Sequence, residues 1–126
     1  MAVGRTLGVL LAMAVIAACS PTYASGDLNE FLQMHDENTS GVGRDVTETE
    51  ILGIQSGFLQ ENAYLTEIRK EPPIFCQPER LALTAAQLVD MLRRGAQDDP
   101  RLNTLNPTFV LLIVLRRTFP CETPQN

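Results

Sequence analysis

The stretch "IFCQPERLALTAAQLVDMLRRG" (residues 74–95) sets Cys76 just ahead of a strongly marked helix, and "RRTFPC" (residues 116–121) sets Cys121 just past the next apolar run. Within the first stretch, Leu83 and Leu88 fit a hydrophobic staple around an N-cap at Thr84, and Thr84 with Gln87 fits a capping box. Ala85, Leu88, Val89 and Leu92 repeat at helical spacing. Arg93 and Arg94 suit the negative end of a helix, and Gly95 reads as its left-handed stop. These signals agree on a helix over about 84–94.

The run "NPTFVLLIVLRRTFP" (residues 106–120) offers Asn106 as N-cap and Pro107 at the first helical position. Its unbroken apolar centre also suits a strand. Length and the Asn-Pro start favour a helix, and its all-round apolarity predicts that it runs through the middle of a bundle. As an antiparallel hairpin, the two helices would bring Cys76 and Cys121 together at the end opposite the connecting loop, residues 96–105. A bond there closes 46 residues and is worth about 4 kcal/mol in the chain-entropy model.

Two further helices are expected. Asp27 and Glu30 stand at capping-box spacing, opening a helix over about 28–36 with Leu28, Phe31, Leu32 and His35 on one face. "ENTSGVGRD" (residues 37–45) reads as a loop. Thr47 and Glu50 then form a second box that opens a helix to about Lys70, striped by Ile51, Ile54, Phe58, Leu65 and Ile68 and ended by Pro72 and Pro73. Gly53 and Gly57 lie one turn apart on another face of it. Glycine costs a helix up to about 1 kcal/mol against alanine, so the pair predicts close approach of a neighbouring backbone. The expected fold is all-α, a small four-helix bundle with one disulfide.

The first two dozen residues belong elsewhere. Arg5, the apolar run over 7–18 and the small residues after it read as a secretory signal, too short and lightly flanked to span a membrane. Ala24 supports a cut before Ser25, giving a signal over 1–24 and a single domain over 25–126. Ile16-Ala17-Ala18-Cys19 instead resembles a bacterial lipobox, with a signal over 1–18 and a lipid on Cys19. Both readings lead out of the cytoplasm to the periplasm, and a membrane is a partner only through a lipidated Cys19. With Cys19 removed or lipidated, Cys76 and Cys121 are the remaining pair in an oxidising compartment.

Charge is uneven. Residues 25–71 hold ten acidic and three basic side chains, and residues 72–126 hold five and six. An acidic front half argues against nucleic acid, which needs clustered Lys and Arg. It reads as a solvated face or, more sharply, as a docking face for a basic partner. His35 is the only histidine, so nucleophile schemes built on Ser-His or Cys-His lack support, and no phosphate-cradling or zinc-protease motif occurs. His35 reads as a packed, hydrogen-bonded side chain. Asp98 and Asp99 are adjacent carboxylates in a loop, and Asp99 before Pro100 reads as the cap of a short turn. The chain reads as a binding or stabilising domain, not an enzyme, with no cofactor or metal implied.

From Cys76 the residues resemble a known family. Cys76 and Pro78; Thr84, Gln87 and Leu88; Asp99 and Pro100; and Phe119, Pro120 and Cys121 follow the order found in the Tai-type immunity family. "ILGIQSGFLQE" (residues 51–61), with Gly53 and Gly57, is similar to that family's glycine-bearing segment. The likeness covers about residues 51–121. It implies a periplasmic helical protein, often a homodimer, that neutralises a peptidoglycan amidase toxin of type VI secretion. By the same analogy the partner is met by the segment "AQDDPRLNTLN" (residues 96–106), through Asp98, Asp99, Arg101 and Asn103. The family often adds a second disulfide. The matching positions here are His35 (or Met34) and Ile51, which predicts a less firmly tied first helix, and Ile54 replaces a tyrosine. The alternative is an envelope structural or stress protein, perhaps lipidated at Cys19, that shares the fold without the toxin.

Overall fold

The computed structural model describes residues 26–37 and 41–122, and the readings placed on the signal and on Cys19 lie outside them. Of the described residues 72% are helical; they form four α-helices and no strand. They are α1 (Leu28–Asp36), α2 (Val42–Ala63), α3 (Ala85–Asp98) and α4 (Pro107–Thr118). A π-helical turn, Tyr64–Arg69, prolongs α2, and a 3-10 turn, Pro100–Thr104, joins α3 to α4.

The first helix starts where its cap requires: the Asp27 carboxylate accepts a hydrogen bond from the Glu30 N–H at 2.9 Å. Leu28, Phe31 and His35 face inward. No cysteine ties α1, yet other contacts hold it. The His35 ring nitrogens lie 3.3 Å from an Asp36 carboxylate oxygen and 3.4 Å from one of Glu48. Arg93 on α3 donates twice to Asp36, at 2.9 Å each. That guanidinium holds the Asp36 carboxyl below the ordinary aspartate range, against a smaller opposing effect of desolvation, and His35 adds to it.

The second helix begins six residues earlier than the Thr47 box predicts. Its cap is Gly41, at φ +77°, and Thr47 lies one turn inside. Thr47 is fully buried, and its hydroxyl donates to the carbonyls of Gly43 and Arg44, as an interior helical threonine does. Gly43 explains the early start. A Cβ there would stand 2.5 Å from the Met34 carbonyl oxygen, so only glycine lets the first turn of α2 close onto α1. The helix then runs on past its support. Ile51 and Gln55 are buried and Ile54, Phe58 and Leu65 half-buried, but Ile68, predicted inside, is 68% exposed. The π-helical turn, wider than an α-turn, carries it outward, and Lys70 closes the segment in the left-handed region.

The strand-like connection from α2 to α3 is pinned by side chains. Asn62 donates to the Phe75 carbonyl at 2.9 Å and accepts from the Ile74 N–H at 2.7 Å. This seats Phe75, 1% exposed, in the core, a burial worth about 1.5–3 kcal/mol. Cys76 follows. It is bonded to Cys121 with Cα atoms 4.9 Å apart, and its N–H donates to the Phe119 carbonyl at 2.9 Å. The expected sulfur bridge is present, and it joins the connection nine residues ahead of α3 to the residue three past α4.

The third helix carries the expected capping box, with both reciprocal bonds between Thr84 and Gln87. It does not stop at Gly95. It continues to Asp98, Gly95 has helical backbone, and neither Arg93 nor Arg94 lies in the last turn. The glycine serves packing instead: a Cβ there would lie 2.5 Å from Val114 Cγ1 on α4. Conversely, a Cβ at Gly53 or Gly57 would meet nothing within 4 Å, so the close approach predicted there is not made among the described residues. The fourth helix is capped by Asn106, which accepts from the Thr108 N–H. It buries Val110, Leu111, Val114 and Leu115 but leaves Phe109 65% exposed. It therefore lies along the bundle with one face out, and is not enclosed on every side.

Three outcomes follow from this packing. Replacing Gly95 by alanine removes a helix penalty of about 1 kcal/mol, yet overpacking against stiff Val114 outweighs it; the variant should lose about 1–3 kcal/mol by urea unfolding. Losing less when Val114→Ala is added than the two single losses combined would confirm direct contact. Reduction of Cys76–Cys121 should cost about 4 kcal/mol in the same assay, and a loss near zero would contradict the closed-loop account. The Asp36 pairing helps the fold above the unfolded carboxyl value of 3.8 and is lost as pH falls through the lower folded value. The difference in melting temperature between the wild type and Asp36→Asn should therefore be present at pH 6 and close as pH falls below 3.8.

Candidate functional site

The end of the bundle between α3 and α4 is built as a projecting, fixed turn. Asp99 leaves α3 in extended backbone and caps the 3-10 turn, accepting from the Arg101 N–H at 3.3 Å. Pro100 presets the turn. Leu102, 4% exposed, points back into the bundle and pins it. A second fastening comes from α1, where the Leu28 N–H donates to the Leu105 carbonyl at 2.8 Å. The segment between the helices is thus anchored from two sides and is not an open loop.

The four residues expected to meet a partner divide into two kinds. Asp98 and Arg101 are exposed. Asp99 and Asn103 turn inward to make the turn: the Asn103 amide donates to the Pro100 carbonyl at 3.2 Å, and the Asp99 side chain is only 16% exposed. Asp99 also takes both arms of the Arg101 guanidinium, Nε at 2.8 Å and Nη2 at 2.9 Å. Arg101 is consequently 89% exposed along its side chain and still held in one orientation. The pair favours both charges: the Arg101 guanidinium keeps the Asp99 carboxyl below the ordinary aspartate range, and Asp99 pushes the guanidinium up.

Arg117 on α4 is the part that sequence reasoning missed. Its guanidinium lies 3.9 Å from the second Asp99 oxygen. An 18-residue separation leaves no local signal for such a pair. With Asp98 and Arg94 it rims a groove of about 390 Å³ between α3 and α4, floored by Leu83, Met91 and Phe119. Arg94 is itself paired with Asp90 one turn back. An apolar floor with charged edges suits a partner's side chain laid between the helices. The disulfide and the Gly95–Val114 contact fix the spacing of the two walls.

His35 lies on α1, paired with carboxylates and 8% exposed, away from Asp98 and Asp99. Among the described residues no three His, Cys, Asp or Glu side chains converge to hold a metal ion. No described helix is long and apolar enough to cross a membrane. Comparison of the chain with protein-family models, with curated proteins and with solved structures gave no match.

Proposed function

We propose that the chain is a non-enzymatic binding protein of the periplasm that inhibits a peptidoglycan amidase toxin of type VI secretion. The observation that carries the binding part is the locked turn at Asp99–Arg101. A guanidinium that is mostly exposed but already oriented loses little side-chain freedom on meeting a carboxylate or a carbonyl edge. The turn that bears it is fastened to α1 and to the core, so its backbone is ordered before contact as well. The amidase as partner rests on the resemblance to the Tai-type immunity family over residues 51–121. In this reading Asp98 and Arg101 touch the toxin, Asp99 and Asn103 hold the turn, and the groove beside Arg117 receives an apolar side chain.

A second reading follows from Ile16-Ala17-Ala18-Cys19: an envelope lipoprotein with a structural or stress role that uses the same fold without a toxin. Mass spectrometry of the mature N-terminus separates a diacylated Cys19 from a free Ser25.

The test is inhibition. The processed chain, titrated into an amidase encoded beside its gene, should stop peptidoglycan cleavage at equimolar ratio. Asp98→Ala with Arg101→Ala should fold normally and weaken inhibition at least tenfold, about 1.4 kcal/mol of binding. If no amidase co-purifies and none is inhibited, the toxin reading is wrong.

A further inference from the structure

The fourth helix carries two stripes at helical spacing. Pro107, Val110, Leu111 and Val114 form the inner one and are buried. Phe109, Leu112, Ile113 and Arg116 form the outer one, again at i, i+3, i+4 and i+7. Along it Phe109 and Arg116 are exposed, and Leu112 and Ile113 are half-buried at the edge of the core. The outer line of a surface helix normally carries the charge. Here it carries a phenylalanine and two aliphatic side chains, and Arg116 alone is ionic. The core accounts for the inner stripe, but it gives no reason for a phenylalanine on the side that faces water.

The outer stripe continues from the turn that precedes it. Leu105, also an exposed apolar side chain, comes between Arg101 and Phe109 in the chain. With a 3-10 turn, a short extended link and the first turn of α4 between them, Arg101 and Phe109 are at most about 20 Å apart. Arg116 lies about 10 Å further along the axis of α4. The set therefore fits the ~800 Å² that one side of a specific interface occupies. Its backbone is ordered in advance. Asn106 accepts from the Thr108 N–H, Pro107 sets the first turn of α4, and the Leu105 carbonyl is held by the Leu28 N–H. Phe109 thus stands on a fixed helix end and has only its own two torsions to order on contact.

Charge indicates what covers the stripe. Residues 107–118 contain Arg116 and Arg117 and no carboxylate. Arg117 leans toward Asp99, while Arg116 pairs with no carboxylate among the described residues. Arg101 stands before the other end of the stripe, exposed and already oriented. The apolar side chains are thus bracketed by cations. We propose that the outer stripe of α4, with Leu105, is the apolar half of the partner contact, and that the partner meets it with an apolar groove edged by carboxylates, which Phe109 fills. This assignment rests on the Asp99–Arg101 turn being the binding end of the molecule. It adds the buried anchor that an exposed charged turn lacks, and the chemistry of the surface that receives it.

Titration of the processed full chain into the amidase encoded beside its gene tests the contact. Phe109 is exposed, so Phe109→Ala should melt at the wild-type temperature and weaken inhibition at least tenfold. Phe109→Leu should inhibit better than Phe109→Ala, because an apolar side chain still enters the groove. Arg116→Glu should slow association, by a factor that grows as salt is lowered. Three results would overturn the proposal and leave the inhibitor reading standing: Phe109→Ala inhibiting as well as the wild type, Phe109→Leu inhibiting no better than Phe109→Ala, or Arg116→Glu associating at the wild-type rate in low salt. A wild-type chain that inhibits no amidase overturns both. A wild-type dimer in sedimentation that Phe109→Ala splits would give the stripe to a second copy, and that too overturns the proposal.

Discussion

Val114 stands where a side chain at position 95 would be, so α3 and α4 cross with the side chain of one against the bare backbone of the other. A close crossing of this kind fixes separation but not extension, since two helices in contact at one level can still splay at their ends. The bridge between Cys76 and Cys121 removes that freedom at one end. The buried Leu102 and the Leu28–Leu105 hydrogen bond hold the turn that connects them. In a chain this small the core alone is marginal. The pair, with its disulfide and its close crossing, holds the charged turn at Asp99–Arg101 in place.

Local signals in the sequence were sufficient wherever local physics decides. The Asp27 cap gives α1, the Thr84–Gln87 box gives the start of α3, and Asn106-Pro107 gives the start of α4. Each is a helix end whose orphan N–H groups must find an acceptor within a few residues. The errors fall where tertiary contact competes. Thr47 and Glu50 make a plausible box, but the Gly43 contact with Met34 draws the helix start back to Val42. Gly95 has the look of a stop after two arginines, and only the approach of Val114 reveals a crossing point. The same division runs through the site. Asp99 as a cap is written in Asp-Pro; Arg117 as its second partner is not, because a hairpin return of 18 residues has no periodicity to betray it.

Glycine reads the same in sequence whether it answers to a neighbour within the fold or to one outside it. Gly43 and Gly95 are of the first kind, each with an atom 2.5 Å from the missing Cβ. Gly53 and Gly57 have nothing within 4 Å. A helix interior that accepts two glycines without an internal contact gives up helix propensity of up to about 1 kcal/mol at each. The surrounding side chains of α2 show the same pattern, since half of its apolar residues do nothing for the core.

The two outward features of the molecule differ in physics, and that difference assigns them different work. The Asp99–Arg101 turn is charged, oriented and rimmed by further charge. Such a surface discriminates between partners and speeds encounter, but its strength is screened within about 8 Å at physiological salt. The outward side of α2 instead exposes apolar Val42, Val46, Leu52 and Leu59, whose exposure to water salt does not screen.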